Sequence, residues 1–149
     1  MDIDDIRKHL TEVAMFTNLS DEEISRLASS TRQNRLNKGD VLFHKDAPCH
    51  GFYLIAGGKI KLSFISPSGN EKIVEILSSG HTFGEAVMFM DKPYPVTAQA
   101  LADSTLVHVS KDAILDALDS NPTFARKLLT GLSIRLHQLI QQQELHSLG

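Results

Sequence analysis

The feature that most constrains this chain is its middle. From Asn34 to Ser110 the apolar residues fall in short runs of strand length, separated by tight-turn signals. Strands are predicted at Val41–Phe43, Gly51–Ala56, Lys59–Ile65, Glu71–Leu77, Thr97–Ala102 and Thr105–Val109. Lys59-Ile60-Lys61-Leu62-Ser63-Phe64 alternates, which directs Ile60, Leu62 and Phe64 inward. Lys38-Gly39-Asp40, Gly57-Gly58 and Pro67-Ser68-Gly69-Asn70 supply the turns. Many short strands with such punctuation predict a β-barrel or a jelly-roll-like sandwich.

Helices flank this region. Ile3, Ile6, Leu10 and Val13 recur at helical spacing, and Ser20-Asp21-Glu22-Glu23 is a capping box for a second helix carrying Ile24 and Leu27. Helix returns at Lys111 and breaks over Asp119–Pro122. Asn121 then suits the cap and Pro122 the first helical position of a helix running towards Ser147. Along it, Ala125, Leu129, Leu132, Leu136, Leu139, Gln143 and His146 alternate spacings of four and three, a heptad seam. Leu129, Leu132, Leu136 and Leu139 are therefore expected to join two copies of the chain. Phe124 and Leu128 are expected to pack on their own domain. The predicted organisation is a β-roll with N-terminal helices over 1–120 and a dimerisation helix over 121–149.

Composition narrows the function classes. Of 149 residues, 42% are hydrophobic and 22% charged, as in an ordinary globular chain. No apolar run approaches the ~18 residues of a membrane span, so no membrane partner is expected. Met1-Asp2-Ile3-Asp4-Asp5 is too acidic for a signal peptide, and a cytoplasmic location is expected. The net charge of −3, without a Lys/Arg run, argues against DNA binding by these residues. A lone cysteine, Cys49, excludes an internal disulfide and a four-cysteine cluster on one chain. No nucleophile elbow, phosphate-binding Walker loop or metalloprotease motif is present, so no enzyme is expected, and no metal site is marked.

Order and spacing carry a resemblance over Phe16 to Leu148. Gly39-Asp40-Val41-Leu42-Phe43 and Phe52-Tyr53-Leu54-Ile55-Ala56-Gly57-Gly58-Lys59-Ile60-Lys61-Leu62 resemble the double-stranded β-helix of cyclic-nucleotide-binding domains. Phe83-Gly84-Glu85-Ala86 looks like the start of that family's phosphate-binding cassette. Asn121-Pro122 and Leu128–Leu136 resemble the dimer helix of regulators related to the cyclic-AMP receptor protein and the fumarate-nitrate regulators. Within that superfamily, Glu85–Pro93, Thr97-Ala98-Gln99-Ala100 and Arg135-Leu136-His137-Gln138 are similar to the dissimilatory nitrate respiration regulators. The resemblance implies a mainly β sensor domain of a dimeric transcription regulator, with nitric oxide as signal and haem as cofactor. It also implies a helix-turn-helix domain after the dimer helix. The chain stops at Gly149, about where that domain would begin. It is either an excised sensor domain, the favoured reading, or a natural single-domain protein, and DNA contact is expected only through residues beyond it.

The cassette departs from the family pattern. A cyclic phosphate is an anion, and burying it unpaired is costly. The resemblance implies that the glutamate, here Glu85, takes the ribose hydroxyl and that a later arginine pairs with the phosphate. That later position falls near Pro95 and Val96, and no arginine lies between Gly84 and Ala125. Lys92 is the nearest cation but lacks the guanidinium fork. The family's adenine contacts are hydroxyl residues on the dimer helix, matched here by Leu139 and Ile140. Asp46 replaces a glycine after the strand at Phe43 and can still hold a turn with positive φ.

Three outcomes follow for a site built on Phe83, Gly84, Glu85, Ala86, Thr97, Ala98, Leu139 and Ile140. The favoured one is a pocket that keeps its frame and takes a non-nucleotide effector. The others are a cassette kept for packing and a true cyclic AMP or cyclic GMP module without its own DNA-binding domain. Haem needs an axial ligand, often histidine, in an apolar pocket. Of the 7 histidines, His81 before the cassette and His137 on the dimer helix are the candidates.

Overall fold

A computed structural model describes residues 1–148, with side chains described through residue 143. Helix α1 (Ile3–Thr11) opens the chain, a 3-10 turn follows at Ala14–Phe16, and α2 (Asp21–Ala28) closes the N-terminal part. Eight strands come next: β1 (Arg32–Leu36), β2 (Val41–Phe43), β3 (Gly51–Gly57), β4 (Lys59–Ile65), β5 (Glu71–Ser78), β6 (Thr82–Phe83), β7 (Thr97–Ala100) and β8 (Ser104–Ser110). Helix α3 (Glu85–Phe89) interrupts them after β6, and α4 (Lys111–Ser120) and α5 (Pro122–Leu148) finish the chain.

The strands form two antiparallel four-stranded sheets, ordered β1-β8-β3-β6 and β2-β7-β4-β5. The expected jelly-roll-like β-roll with a long C-terminal helix is the observed architecture. Between the sheets lies one apolar cluster, containing Phe43, Ile55, Ile60, Leu77, Phe83, Tyr94, Ala98 and Leu106. A second cluster joins the outer face of β3 and β8 to the helices through Phe52, Leu54, Val107, Val109, Leu10, Phe16, Leu27, Ile114, Phe124 and Leu128. Strands β3 and β8 are thus buried on both faces. That is why Phe52-Tyr53-Leu54-Ile55 reads as a continuous apolar run rather than an alternation.

Local signals explain the helix ends. Ser20 Oγ accepts from the Glu23 backbone N–H, and Glu23 Oε1 accepts from the Ser20 N–H. Asn121 Oδ1 accepts from the N–H groups of Thr123 and Phe124, so the cap and Pro122 sit where the sequence puts them. Asp46 holds its turn at φ 73°. Lys127 Nζ donates to Glu23 Oε1 at 2.7 Å and ties α5 to α2. Burial alone would raise the Glu23 pKa, but the hydrogen bonds from Lys127 and Ser20 outweigh it and hold the carboxyl below its ordinary value.

Several expectations are corrected. The first helix ends at Thr11, and Val13 is buried beyond it in the turn that leads to the 3-10 segment. The alternation in β4 breaks between Leu62 and Ser63, where the register with β5 shifts. Ser63 is consequently buried, and Phe64 is only half-buried instead of facing the core. Strand β7 stops at Ala100, short of Ala102. Strands β1 and β6 carry no sequence signal: Arg32-Gln33-Asn34-Arg35-Leu36 is too polar, and β6 too short, to show a period. The seam position His146 lies outside the residues whose side chains are described.

Candidate functional site

The cassette forms where β6 ends. Gly84 sits at φ 94°, a left-handed conformation that glycine adopts without strain, and α3 starts at Glu85. Because α3 spans only 5 residues, it contributes little macrodipole. The turn's effect is to place Glu85 beside Thr82, whose hydroxyl donates to Glu85 Oε1 at 3.1 Å. The second oxygen, Oε2, is buried and has no partner among the described residues.

Glu85 lines a cleft of about 600 Å³ between the barrel and α5. Its barrel wall is Glu75 and Leu77 of β5, then Gly80, His81 and Thr82. The segment Glu12–Met15 forms one end, and Leu132, Arg135, Gln138 and Leu139 of α5 form the far wall. This volume is in the ordinary range for small-molecule and cofactor sites. Gly131 sets the distance between the walls: a Cβ there would lie 2.7 Å from the Met15 carbonyl oxygen, so glycine lets α5 press against the 3-10 turn.

His81 is held by its backbone and its ring. Its carbonyl accepts from the Ile55 N–H at 3.0 Å, and its Nδ1 lies 3.1 Å from the Ser78 carbonyl. Carbonyl oxygens only accept, so Nδ1 carries the proton and Nε2 is left as the lone-pair nitrogen. A histidine that gives its second nitrogen to a backbone carbonyl has the arrangement typical of metal-ligating imidazoles. Arg135 carries the cleft's one guanidinium and forms no ion pair with the described residues.

Residues 33–121 match the family model of the cyclic nucleotide-binding domain. The chain belongs to the cyclic nucleotide-binding domain family. Within it, the crystal structure of DNR from Pseudomonas aeruginosa is 39% identical, with a TM-score of 0.85, covering 95% of this chain and 63% of that one. The crystal structure of the sensor domain of the transcriptional regulator DNR from the same organism is 39% identical, covering 91% of each chain with a TM-score of 0.75. A CRP-like cAMP-activated global transcriptional regulator of Mycobacterium tuberculosis is 24% identical over 129 residues, which are 87% of this chain and 58% of the regulator. The family resemblance read in the sequence is thus the observed one: a cyclic nucleotide-binding domain of the CRP/FNR type, in a DNR-like subgroup. The chain spans less than two thirds of the length of this curated relative.

The structure brings together only part of the sequence-predicted site. Glu85, Leu139 and His81 share the cleft. Phe83 is in the interior, its ring 5.5 Å from Tyr53 and 6.1 Å from Phe43. Ala98 is fully buried between the sheets. Thr97 uses its hydroxyl to accept from the Lys45 N–H. Gly84 shapes the turn, and Ala86, Ile140 and His137 are exposed away from the cleft lining. Sequence reasoning missed Thr82, Glu75, Arg135 and Gln138. Leu132, Arg135 and Leu139 are three and four apart, so the heptad spacing already places Arg135 on the face of the two leucines.

Proposed function

We propose that this domain is the effector-sensing part of a dimeric, cytoplasmic transcription regulator whose DNA contacts lie outside this chain, and that its cleft takes an effector other than a cyclic nucleotide. The observation that carries this reading is the distribution of charge around the cassette. Glu85 is in place, yet the strand side offers Pro95 and Val96 where a phosphate needs a cation. Arg135 reaches the cleft from α5, beside Leu132 and Leu139, where a nucleotide base would look for hydroxyl partners.

Haem is the effector we test first, although Glu12, Glu75 and Glu85 also line the cleft. His81 offers Nε2 with its tautomer set by Ser78, Leu77, Leu132 and Leu139 supply apolar wall, and Arg135 is a cation for a propionate. Bound there, haem would supply an iron that takes a diatomic gas such as nitric oxide. The chain's own part is to present His81 and set Arg135 on α5. A ligand that touches both walls favours one spacing of α5 over another, and only that difference in affinity can move the helix.

A cyclic-nucleotide module is the second reading, favoured by one observation. Glu85 Oε2 is a buried acceptor with no donor among the described residues, and a ribose hydroxyl would satisfy it. Two titrations separate the readings. Haem should give an absorbance change that saturates near about one haem per chain, and His81→Ala should abolish it. Absence of saturation removes haem. Saturable calorimetric binding of cyclic AMP or cyclic GMP, lost in Glu85→Ala, would replace the first reading with the second.

A further inference from the structure

A second cleft, of about 540 Å³, opens at the barrel end beside the first turn of α4. It shares no lining residue with the effector cleft. Antiparallel pairing puts Arg32 of β1 and Tyr53 of β3 on either side of His108 in β8. His108 lines the cleft, yet it is only 5% exposed. Its ring rests 4.9 Å from that of Tyr53, and neither ring nitrogen has a hydrogen-bond partner among the described residues. The ring nitrogens are not among the buried side-chain atoms that lack a partner, so they open onto the cleft and are available to a ligand there. Room for the ring is made at Gly51, where a Cβ would lie 2.6 Å from His108 Nε2.

The surroundings carry positive character. Arg32 is exposed on the lining and pairs with no carboxylate among the described residues. The backbone N–H of Lys111 donates to the His50 carbonyl at 2.9 Å, which fixes His50 at the start of α4. That helix has 10 residues, with Ser110 as its cap, and its N-terminus favours negative charge. The Lys111 ammonium is taken by Asp91, and Asp112 is the one carboxylate on the lining. Burial, followed by the charges of Arg32 and His50, pushes the His108 pKa below its ordinary value.

We propose that this cleft binds a phosphate-type oxyanion, free or carried on a small ester, with Arg32 as its charged partner and His50 and His108 as hydrogen-bond donors. The site is separate from the effector cleft and does not depend on what that cleft binds. The test is a titration of the wild-type chain with inorganic phosphate and with glycerol 2-phosphate, at constant ionic strength, followed through the ring resonances of the histidines. Saturable shifts of His50 and His108 that leave His81 and His137 in place are expected. Arg32→Ala should weaken binding roughly tenfold or more, the loss expected for a charge-assisted bond. Arg35→Ala removes the same charge from the other face of β1 and should leave binding unchanged. The relative affinity of phosphate and ester tells which source the site prefers. Shifts that rise linearly and are reproduced by chloride, or equal effects of Arg32→Ala and Arg35→Ala, would overturn the proposal.

Discussion

At the scale of single residues, position in the sheet decides what a polar side chain does. His108 sits among apolar neighbours in β8 because the alternation that sends Val107 and Val109 to the helices sends it to the barrel end. Its pKa is depressed in the folded state by burial and by Arg32 and His50. The unfolded chain therefore takes up the proton first as pH falls through the ordinary value of 6.5. Stability from keeping His108 neutral is complete above that value and is lost towards the lower folded-state pKa. Stability of the wild type against denaturant should accordingly fall as pH drops below the ordinary value of 6.5. His108→Phe keeps a ring against Tyr53 and should flatten that dependence, the other histidines being common to both proteins. Equal slopes in the two proteins would show that His108 titrates normally. Much of this scale was hidden in the sequence. Glu85 was legible because it stands in a recognisable run, and Asp46 because few residues other than glycine suit its turn. Thr82 and Glu75 were not, since their convergence depends on β5 and β6 meeting α5 across a cleft that no local pattern describes.

At the scale of elements, legibility follows periodicity and caps. Strands β2 and β4 and the start of α5 appear where the sequence puts them, because the alternation, Asn121 and Pro122 are local signals. Strand β1 escaped because pairing with β8, rather than its own composition, makes it a strand. The shift at Leu62/Ser63 escaped because a bulge changes the facing of side chains without any residue type to mark it. The contact between α5 and the 3-10 turn belongs to the same scale and rests on Gly131. In Gly131→Ala the added methyl would meet Met15 backbone, which cannot swing away as a side chain tip does. A cost of about 1–3 kcal/mol is expected from such overpacking, less the small gain from alanine's better helix propensity. Met15 and Leu132 both line the effector cleft, so the same change should alter ligand affinity there. A variant as stable as the wild type, with unchanged effector binding, would show that α5 is free to shift without consequence.

At the scale of the whole molecule, α5 has two faces with different duties. Phe124 and Leu128 are buried against the domain, each 2% exposed, while Leu129, Leu136 and Leu139 remain 65%, 60% and 41% exposed at heptad spacing. Across the cleft, β5 also leaves Ile73, Val74 and Ile76 more than half exposed. The exposed leucines at heptad spacing are those expected to meet a second copy of the helix. Leu136 tests this cleanly because it is on the seam but not on the cleft lining. Leu136→Asp puts a charge where two helices would meet, and its exposure means the isolated domain should lose less than about 0.5 kcal/mol of stability. Light scattering should then report a dimer for the wild type at roughly tens of micromolar and a monomer for the variant, with the circular dichroism of the barrel preserved. Leu132 and Leu139 belong to both the seam and the cleft, so a ligand that shifts α5 must also change how two such helices meet. The dissociation constant of the wild-type dimer should therefore move when the effector binds, and with one effector per protomer it should move by the square of the ratio between the effector's affinities for wild type and Leu136→Asp, as linkage requires. A wild-type chain that stays monomeric would remove the seam, and a dimer indifferent to the effector would uncouple α5 from the site it walls.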